Sequence, residues 1–446
     1  MITLKEKAGN LFNSKGFRKY FTNTSWLLLE KLFNLGVAFF VGVYVARFLG
    51  PERYGMLSFA QSIIGFLSVF ASLGIKNIMT RNLVREADNY PVLMGTAFTI
   101  RVVASALGII MIYGLSPFIT EDDTSRVLLI ILAFTTLLQS FDVIKSYFQS
   151  QVLAKKIVPV AVFQTVVGAI IKIMLIQLNA ALVWFAAVYV VELTVSAIGL
   201  IIVFRKQKKI VSNWSFRLSY AKKLLKDSWP LLFSGFVVAV YMKIDQVMIK
   251  YMLDDAAVGI YAVAIKFTSI WYFVGGIICS SLMPAVIQAK ERNQELYENR
   301  LQNLYELMVG VGVLIALPMS IVAYPLTNFL YGIEYSAASG VMIIHVWSLI
   351  FVFLGTASGN WLLAENLQKY KMSRTILGAV VNVGLNFLLI PNFGVEGAAV
   401  ATFLSQMTAS YLGYLLSKET HVAFIMQSKA LVFSSTFKYL RQRSAN

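Results

Sequence analysis

The chain has 446 residues, of which 58% are hydrophobic and only 14% charged, and its mean hydropathy is +0.70. A soluble domain has too few core positions to hide that much apolar surface, so most of this chain is solvated by lipid. A single cysteine, Cys279, excludes an internal disulfide, and His345 and His421 with one thiol do not build a metal site.

The first 20 residues are basic and lead into an apolar run too long for the core of a signal peptide. A spanning helix needs about 20 apolar residues. Runs of that kind fall near 21–49, 56–75, 93–114, 126–150, 157–178 and 181–204, then near 228–252, 257–287, 303–324, 338–362, 371–390 and 395–416. The pattern predicts an all-α membrane protein of about twelve helices. Its organisation is a basic N-terminus (1–20), a first six-helix lobe (21–204), a linker (205–227), a second lobe (228–416) and a basic tail (417–446). The tail mixes Phe, Leu and Val with Lys and Arg and reads as an interfacial helix or a disordered end.

The net charge of +17 suggests nucleic acid only until the charges are placed. Numbering the connections alternately from the N-terminus puts nearly every loop cation on one side, with Lys206, Lys208, Lys209, Lys222, Lys223 and Lys226 in the longest loop. The other side holds only Arg53 and Arg126. Basic loops stay in the cytoplasm. Both termini are therefore expected there, in a bacterial inner membrane, and no nucleic-acid partner is needed.

The two halves resemble each other. Ser25-Trp26 opens the first span and Ser228-Trp229 the seventh, and the hairpins near 47–55 and 250–259 match at an offset of 203–204. Thr165-Val166-Val167-Gly168-Ala169-Ile170-Ile171-Lys172 resembles Thr375-Ile376-Leu377-Gly378-Ala379-Val380-Val381-Asn382 at an offset of 210. Six spans per half make these parallel repeats, related by an axis along the membrane normal.

Charges inside the spans carry the functional information. The cations are Lys31, Arg101, Lys145, Lys172, Lys243 and Lys266, and the anions Glu30, Asp142, Glu192 and Asp245. Each centred cation costs about 2.5–3.5 kcal/mol in lipid, so most must face a wet cavity, a partner group or an interface. Asp142 and Lys145 are three apart on one helical face and can neutralise each other. Arg101, Lys172, Lys243 and Lys266 have no opposite charge one turn away, and with Lys31 they are candidate cavity cations. A surplus of fixed cations suits an anionic cargo such as a pyrophosphate. Glu30, Asp142, Glu192 and Asp245 are candidates for carrying a coupling proton or sodium ion. Tyr241, Trp271 and Tyr272 are central enough to stack on sugar rings, whereas Trp184 and Trp361 fall at span ends where aromatic belts form. Pro284 and Pro318 are expected to kink their helices. His345 reads as a satisfied structural histidine.

The stretch Ala46-Arg47-Phe48-Leu49-Gly50-Pro51-Glu52-Arg53-Tyr54-Gly55, with Ser72-Leu73-Gly74 closing the second span, resembles the polysaccharide transporter family, and its O-antigen (Wzx-type) flippases most. The run Asn386-Phe387-Leu388-Leu389-Ile390-Pro391-Asn392-Phe393-Gly394-Val395-Glu396-Gly397-Ala398-Ala399 fits the same family. The resemblance covers roughly 20–416 and implies two six-helix lobes around a central cavity. It also implies alternating access for an undecaprenyl-pyrophosphate-linked oligosaccharide, whose lipid tail stays in the bilayer. Implied partners are this substrate, membrane lipids, and a polysaccharide polymerase and chain-length regulator. No nucleotide-binding motif is present, so an ion gradient is the expected drive, with no cofactor and no enzymatic activity. A cation-coupled drug exporter of the same fold is the alternative. A membrane glycosyltransferase is disfavoured because the loops opposite the basic side are short, and Glu121-Asp122-Asp123 and Asp254-Asp255 read as solvated turns.

Overall fold

The computed structural model describes residues 15–207 and 209–434, with side chains from residue 22. The N-terminal cations Lys5 and Lys7, the linker's Lys208 and the tail's Lys438, Arg441 and Arg443 lie outside the described residues. Among those described, the chain is helical with short turns and no strand. Ten helical stretches are long and apolar enough to cross a bilayer. Two of them, Thr22–Arg85 and Gln368–Leu416, break at a glycine in left-handed backbone, Gly50 at φ +72° and Gly394 at φ +57°. Each therefore supplies two crossings, and the expected twelve result. Glycine takes this conformation without a Cβ clash. Pro51, directly after Gly50, opens the returning helix where its missing N–H leaves no bond unmade.

The chain divides into two compact units. The first contains helix α1 (Lys15–Ser72) apart from Leu49–Phe59, then α2 (Ile75–Arg85), α3 (Tyr90–Ile119), α4 (Asp123–Leu138), α5 (Val143–Ser150), α6 (Ala154–Gln177) and α7 (Leu182–Arg205). It also takes the start of α8 (Leu218–Met252), up to Phe236. A core of Ile75, Leu83, Leu93, Phe148, Phe204 and Leu224 closes this unit toward its basic end, with Trp214 packed against it. Residues 209–227 of the stretch expected as a linker are thus docked on the first unit, and the division between units falls inside α8.

The second unit contains Leu49–Phe59, the rest of α8, α9 (Asp255–Ser269), α10 (Tyr272–Lys290), α11 (Gln294–Tyr331), α12 (Ala338–Val346), α13 (Ser348–Ala364), α14 (Gln368–Ser410) and α15 (His421–Leu431). Within it the two matching hairpins cross. A Cβ on Gly55 would fall 1.7 Å from the Asp255 carbonyl oxygen, and one on Gly259 would fall 2.0 Å from that of Pro51. Positions 51 and 255 are 204 apart, as are 55 and 259, so the contact repeats itself with partners exchanged. Asp254 caps α9 by accepting from the Ala257 N–H at 2.7 Å, and Lys250 pairs with Asp255. In the described part of the tail, α15 packs on this unit through Ala423, Met426, Gln427 and Ala430, and residues 435–446 lie outside the described residues. Gln427 donates to Ser358 at 2.5 Å, and Phe424 stacks on Tyr411 at 4.8 Å.

Three crossings break inside a stretch that the sequence reads as one span. A 3-10 turn at Gln139–Asp142 separates α4 from α5, Ile270 and Trp271 separate α9 from α10, and Trp347 separates α12 from α13. Irregular backbone at membrane depth survives only where protein or water meets it in place of lipid. Large apolar side chains such as Phe118, Leu314, Ile321 and Phe329 are conversely exposed, as lipid-facing positions are.

Candidate functional site

In the first unit the intramembrane charges answer one another. The Lys172 ammonium donates to Glu192 Oε1 at 2.7 Å, joining α6 to α7, and lies 4.4 Å from the centroid of the Tyr189 ring. The carboxylate is pressed against Gly168, where a Cβ would come within 1.8 Å of Glu192 Oε1. The pair is therefore built into the helix contact. Lys172 was expected as a cavity cation and Glu192 as an ion carrier; the structure brings the two together in an ion pair. Lys145 pairs with Asp142 at 2.9 Å, as their spacing predicts, and Glu30 lies within electrostatic reach of Lys145. Arg101 is buried on α3 within reach of Asp142, with its Nε unpartnered. Lys31 is exposed on α1.

The second unit is arranged differently. Asp245 on α8 is 5% exposed. Its Oδ2 accepts from the Tyr261 hydroxyl of α9 at 2.6 Å and from Thr402 Oγ1 of α14 at 2.7 Å. Its Oδ1 accepts from Asn386 Nδ2 at 2.6 Å. Asn386 Nδ2 also faces Asn382 Oδ1 at 3.4 Å, while Asn382 Nδ2 and Asn386 Oδ1 are buried without hydrogen-bond partners. No cation lies within ion-pair distance of Asp245 among the described residues. A buried carboxylate held only by neutral donors can accept a proton or a small cation, because nothing fixed neutralises it.

Lys243 lies two residues before Asp245, on the far side of α8, and the charge that acts on it is another cation, Lys266 of α9. Lys243 makes no ion pair among the described residues. Tyr241, one turn from Asp245, lays its ring against Gly378. Trp271 and Tyr272 sit at the break between α9 and α10, the Trp271 indole N–H buried without a partner. His345 is buried and bonded through Nδ1 to Thr268 at 2.7 Å, the structural role expected of it.

Sequence reasoning singled out Asp245 but not Tyr261, Asn382, Asn386 or Thr402. A signal existed for the amides: Asn382 and Asn386 are four apart, on one face of an otherwise apolar run. Nothing in the pattern marked Tyr261 or Thr402, since Tyr and Thr are ordinary in spans.

The profile of the family described as polysaccharide biosynthesis protein matches residues 21–289, and the MatE family profile matches residues 230–388. A probable low-salt glycan biosynthesis flippase, Agl15 of Haloferax volcanii, is 23% identical over 85% of this chain and 79% of its own. Capsular polysaccharide biosynthesis protein CapF of Staphylococcus aureus is 20% identical over 89% of this chain and 98% of its own. Two solved structures share the fold, each with a TM-score of 0.71. One is a multidrug resistance MATE family transporter of the MOP superfamily in an inward-facing conformation, 15% identical, with 90% of this chain and 96% of that one covered. The other is the lipid II flippase MurJ in an inward closed conformation, 13% identical, with 92% and 91% covered. With three-fifths of its length matched by the first profile, this multi-pass membrane protein belongs to the polysaccharide biosynthesis protein family.

Proposed function

We propose that the chain is a flippase that moves an undecaprenyl-pyrophosphate-linked oligosaccharide, an O-antigen unit or similar repeat, from the cytoplasmic to the outer leaflet by ion-coupled alternating access. The observation that carries this reading is Lys243, a largely buried cation at membrane depth that makes no ion pair among the described residues. A cation at that depth is costly in lipid. An anionic group within its reach relieves that cost, and a pyrophosphate has the charge and the acceptors to do so, with Lys266 of α9 as the second cation assigned to it. Arg101 is assigned a supporting role toward the same cargo. Tyr241, Trp271 and Tyr272 supply ring faces for sugars. The names of Agl15 and CapF support a glycan cargo. Basic loops support both termini in the cytoplasm. Export to the outer leaflet hands the unit to a polymerase and chain-length regulator.

Asp245 is assigned the coupling ion. Its partners are neutral, so taking up or losing a cation changes the local charge by one unit without breaking an ion pair.

The test is surface polysaccharide from cells carrying Lys243→Ala, Lys266→Ala or both, at matched protein levels. Charged hydrogen bonds are worth about 1.5–3 kcal/mol, so the double variant should lose roughly tenfold or more in flux. Arginine at either position should retain part of it. Normal polymer from the double variant overturns the assignment. The MatE match over 230–388 favours one competing reading, a drug exporter. It predicts that a deletion strain keeps its polysaccharide and becomes sensitive to organic cations.

A further inference from the structure

The docked segment 209–227 and the start of α8 expose a surface that the transport reading leaves unused. The segment is held firmly. Trp214 packs edge-on against Phe98 at 5.4 Å and Phe204 at 5.9 Å between ring centroids. The Ser215 N–H donates to the Pro91 carbonyl at 3.3 Å, and the Arg217 N–H to Thr96 Oγ1 at 3.1 Å. The Ser215 backbone lies so close to Gly95 that a Cβ there would fall 2.6 Å from its nitrogen. Lys209 covers the Tyr90 ring at 3.9 Å, Tyr220 donates to Glu86 at 2.6 Å, and Arg81 pairs with Asp227 at 3.1 Å. The segment is a fixed strap.

Its outer side mixes two kinds of residue. Phe216 is 50% exposed, Leu218 59% and Trp229 64%, and Ile210 and Leu225 are exposed with them. Between them stand Arg217, Lys222, Lys223 and Lys226, all exposed. On α8, Ala221, Leu224 and Ser228 turn inward. Leu218, Lys222, Leu225 and Trp229 follow one another at helical spacing along a neighbouring, exposed face, about 100° round the helix from those residues. That stripe runs without interruption from the strap into the crossing itself, because Trp229 opens the apolar run of α8.

We propose that this strap is a docking surface for the anionic lipid headgroups of the leaflet on the basic side of the protein. Exposed large apolar side chains interleaved with lysines are what an interfacial element needs: the rings and Leu side chains enter the acyl boundary and the ammonium groups meet phosphate. A lysine within the stripe, Lys222, lays its stem along the apolar surface and lifts its charge to the headgroups. The charge complementarity selects a lipid surface over a second copy of this chain, whose matching strap is equally basic. Continuity with the α8 crossing places the stripe at the bilayer edge. Because Trp214, Tyr220 and Arg81 fix the strap to α2, α3 and α7, lipid contact here bears on the first unit directly.

The test uses the full chain in lipid nanodiscs, with Cys279→Ala to remove the native thiol and Phe216→Cys to carry an environment-sensitive fluorophore. Phosphatidylcholine discs are compared with discs containing phosphatidylglycerol, each with lipid brominated near the headgroup as quencher. The expected result is a blue-shifted label, quenched in both and more strongly in the anionic discs. Each lysine near an anionic surface is worth about a fivefold change in occupancy. Lys222→Gln/Lys223→Gln/Lys226→Gln should therefore abolish the lipid dependence while leaving the melting temperature unchanged. Raising salt with the unaltered lysines should remove the same difference, so the result does not depend on the triple variant folding. A water-exposed, unquenched label in both discs overturns the proposal, and so does an anionic-lipid effect that survives both lysine removal and high salt.

Discussion

Two regions that match in sequence at an offset of 210 have opposite electrostatics. Lys172 and Glu192 of the first unit correspond, at the offset of 210, to Asn382 and Thr402 of the second. In the first unit these positions are an ion pair at 2.7 Å, sealed against Gly168. In the second they are an amide and a hydroxyl beside Asp245, a carboxylate whose donors are all neutral. The first unit carries its cation covalently, on a lysine stem. The second has an anion with no fixed counter-charge. A permanent pair stabilises a helix contact and cannot be loaded or emptied, whereas a carboxylate among hydroxyls and amides can exchange a proton or ion.

The largest effect expected from this contrast is at Asp245. Asp245→Asn keeps the size of the side chain and removes its charge. If the ion carried there is driven by the membrane potential, its loss removes about 2.3 kcal/mol per 100 mV, roughly forty- to fiftyfold in the gradient that transport can sustain. Transport into energised vesicles should fall accordingly, while flux down an imposed substrate gradient continues. Undiminished uphill transport by the variant would break the comparison, because the second unit's carboxylate would then be as inert as the first unit's ion pair.

A smaller effect sharpens the other side. Lys172→Met and Glu192→Gln each break the ion pair between α6 and α7, at a cost that approaches the roughly 3–5 kcal/mol of a fully buried pair. The double substitution removes both charges and should recover most of the loss, giving a strong coupling energy in a double-mutant cycle of thermal stability. Transport by the double variant should stay near that of the unaltered protein. If stability recovers and transport does not, Lys172 has the cargo-binding role that its position in a span first suggested.

The limits of the sequence follow from what each feature depends on. The twelve crossings were legible because the bilayer demands long apolar runs, and the hairpin at Gly50-Pro51 because few residues turn a helix there. Asp142 and Lys145 were legible as a pair because one helical turn joins them. Lys172 and Glu192 were not, since twenty residues and a turn separate them and only the packing of α6 on α7 brings them together. The breaks at Trp271 and Trp347 left no mark, because the residues around them are as apolar as those in unbroken helix, whereas Gln139, Ser140 and Asp142 did mark the third. Trp214 lies in a polar, basic stretch that read as a tether, and its burial depends on Phe98 and Phe204 from distant helices. Pattern reveals what the solvent imposes and stays silent on which helices meet.

The smallest expected effect lies outside the spans, on the second unit's basic side, and shows what a solvated pair looks like beside the two buried arrangements. Glu365 follows α13 and accepts from Lys290 at 2.8 Å and from the Tyr297 hydroxyl at 2.6 Å. Partial burial by itself would raise its pKa, but the bonds from Lys290 and Tyr297 outweigh that, and the net direction is down. A carboxyl group held below its ordinary value contributes stability that is fully present above the usual carboxylate range. That contribution is lost as pH falls through the depressed value. An exposed pair of this kind is worth about 0–1 kcal/mol. Glu365→Gln should therefore lower the melting temperature slightly at pH 7 and narrow the difference from the unaltered protein as pH falls below 4. Salt at 1 M should shrink it as well, since screening acts on an exposed pair. The Lys172–Glu192 pair, held between helices, should respond less to salt. A pH- and salt-insensitive loss at Glu365 would mean that Tyr297 packing, and not charge, ties α11 to the end of α13.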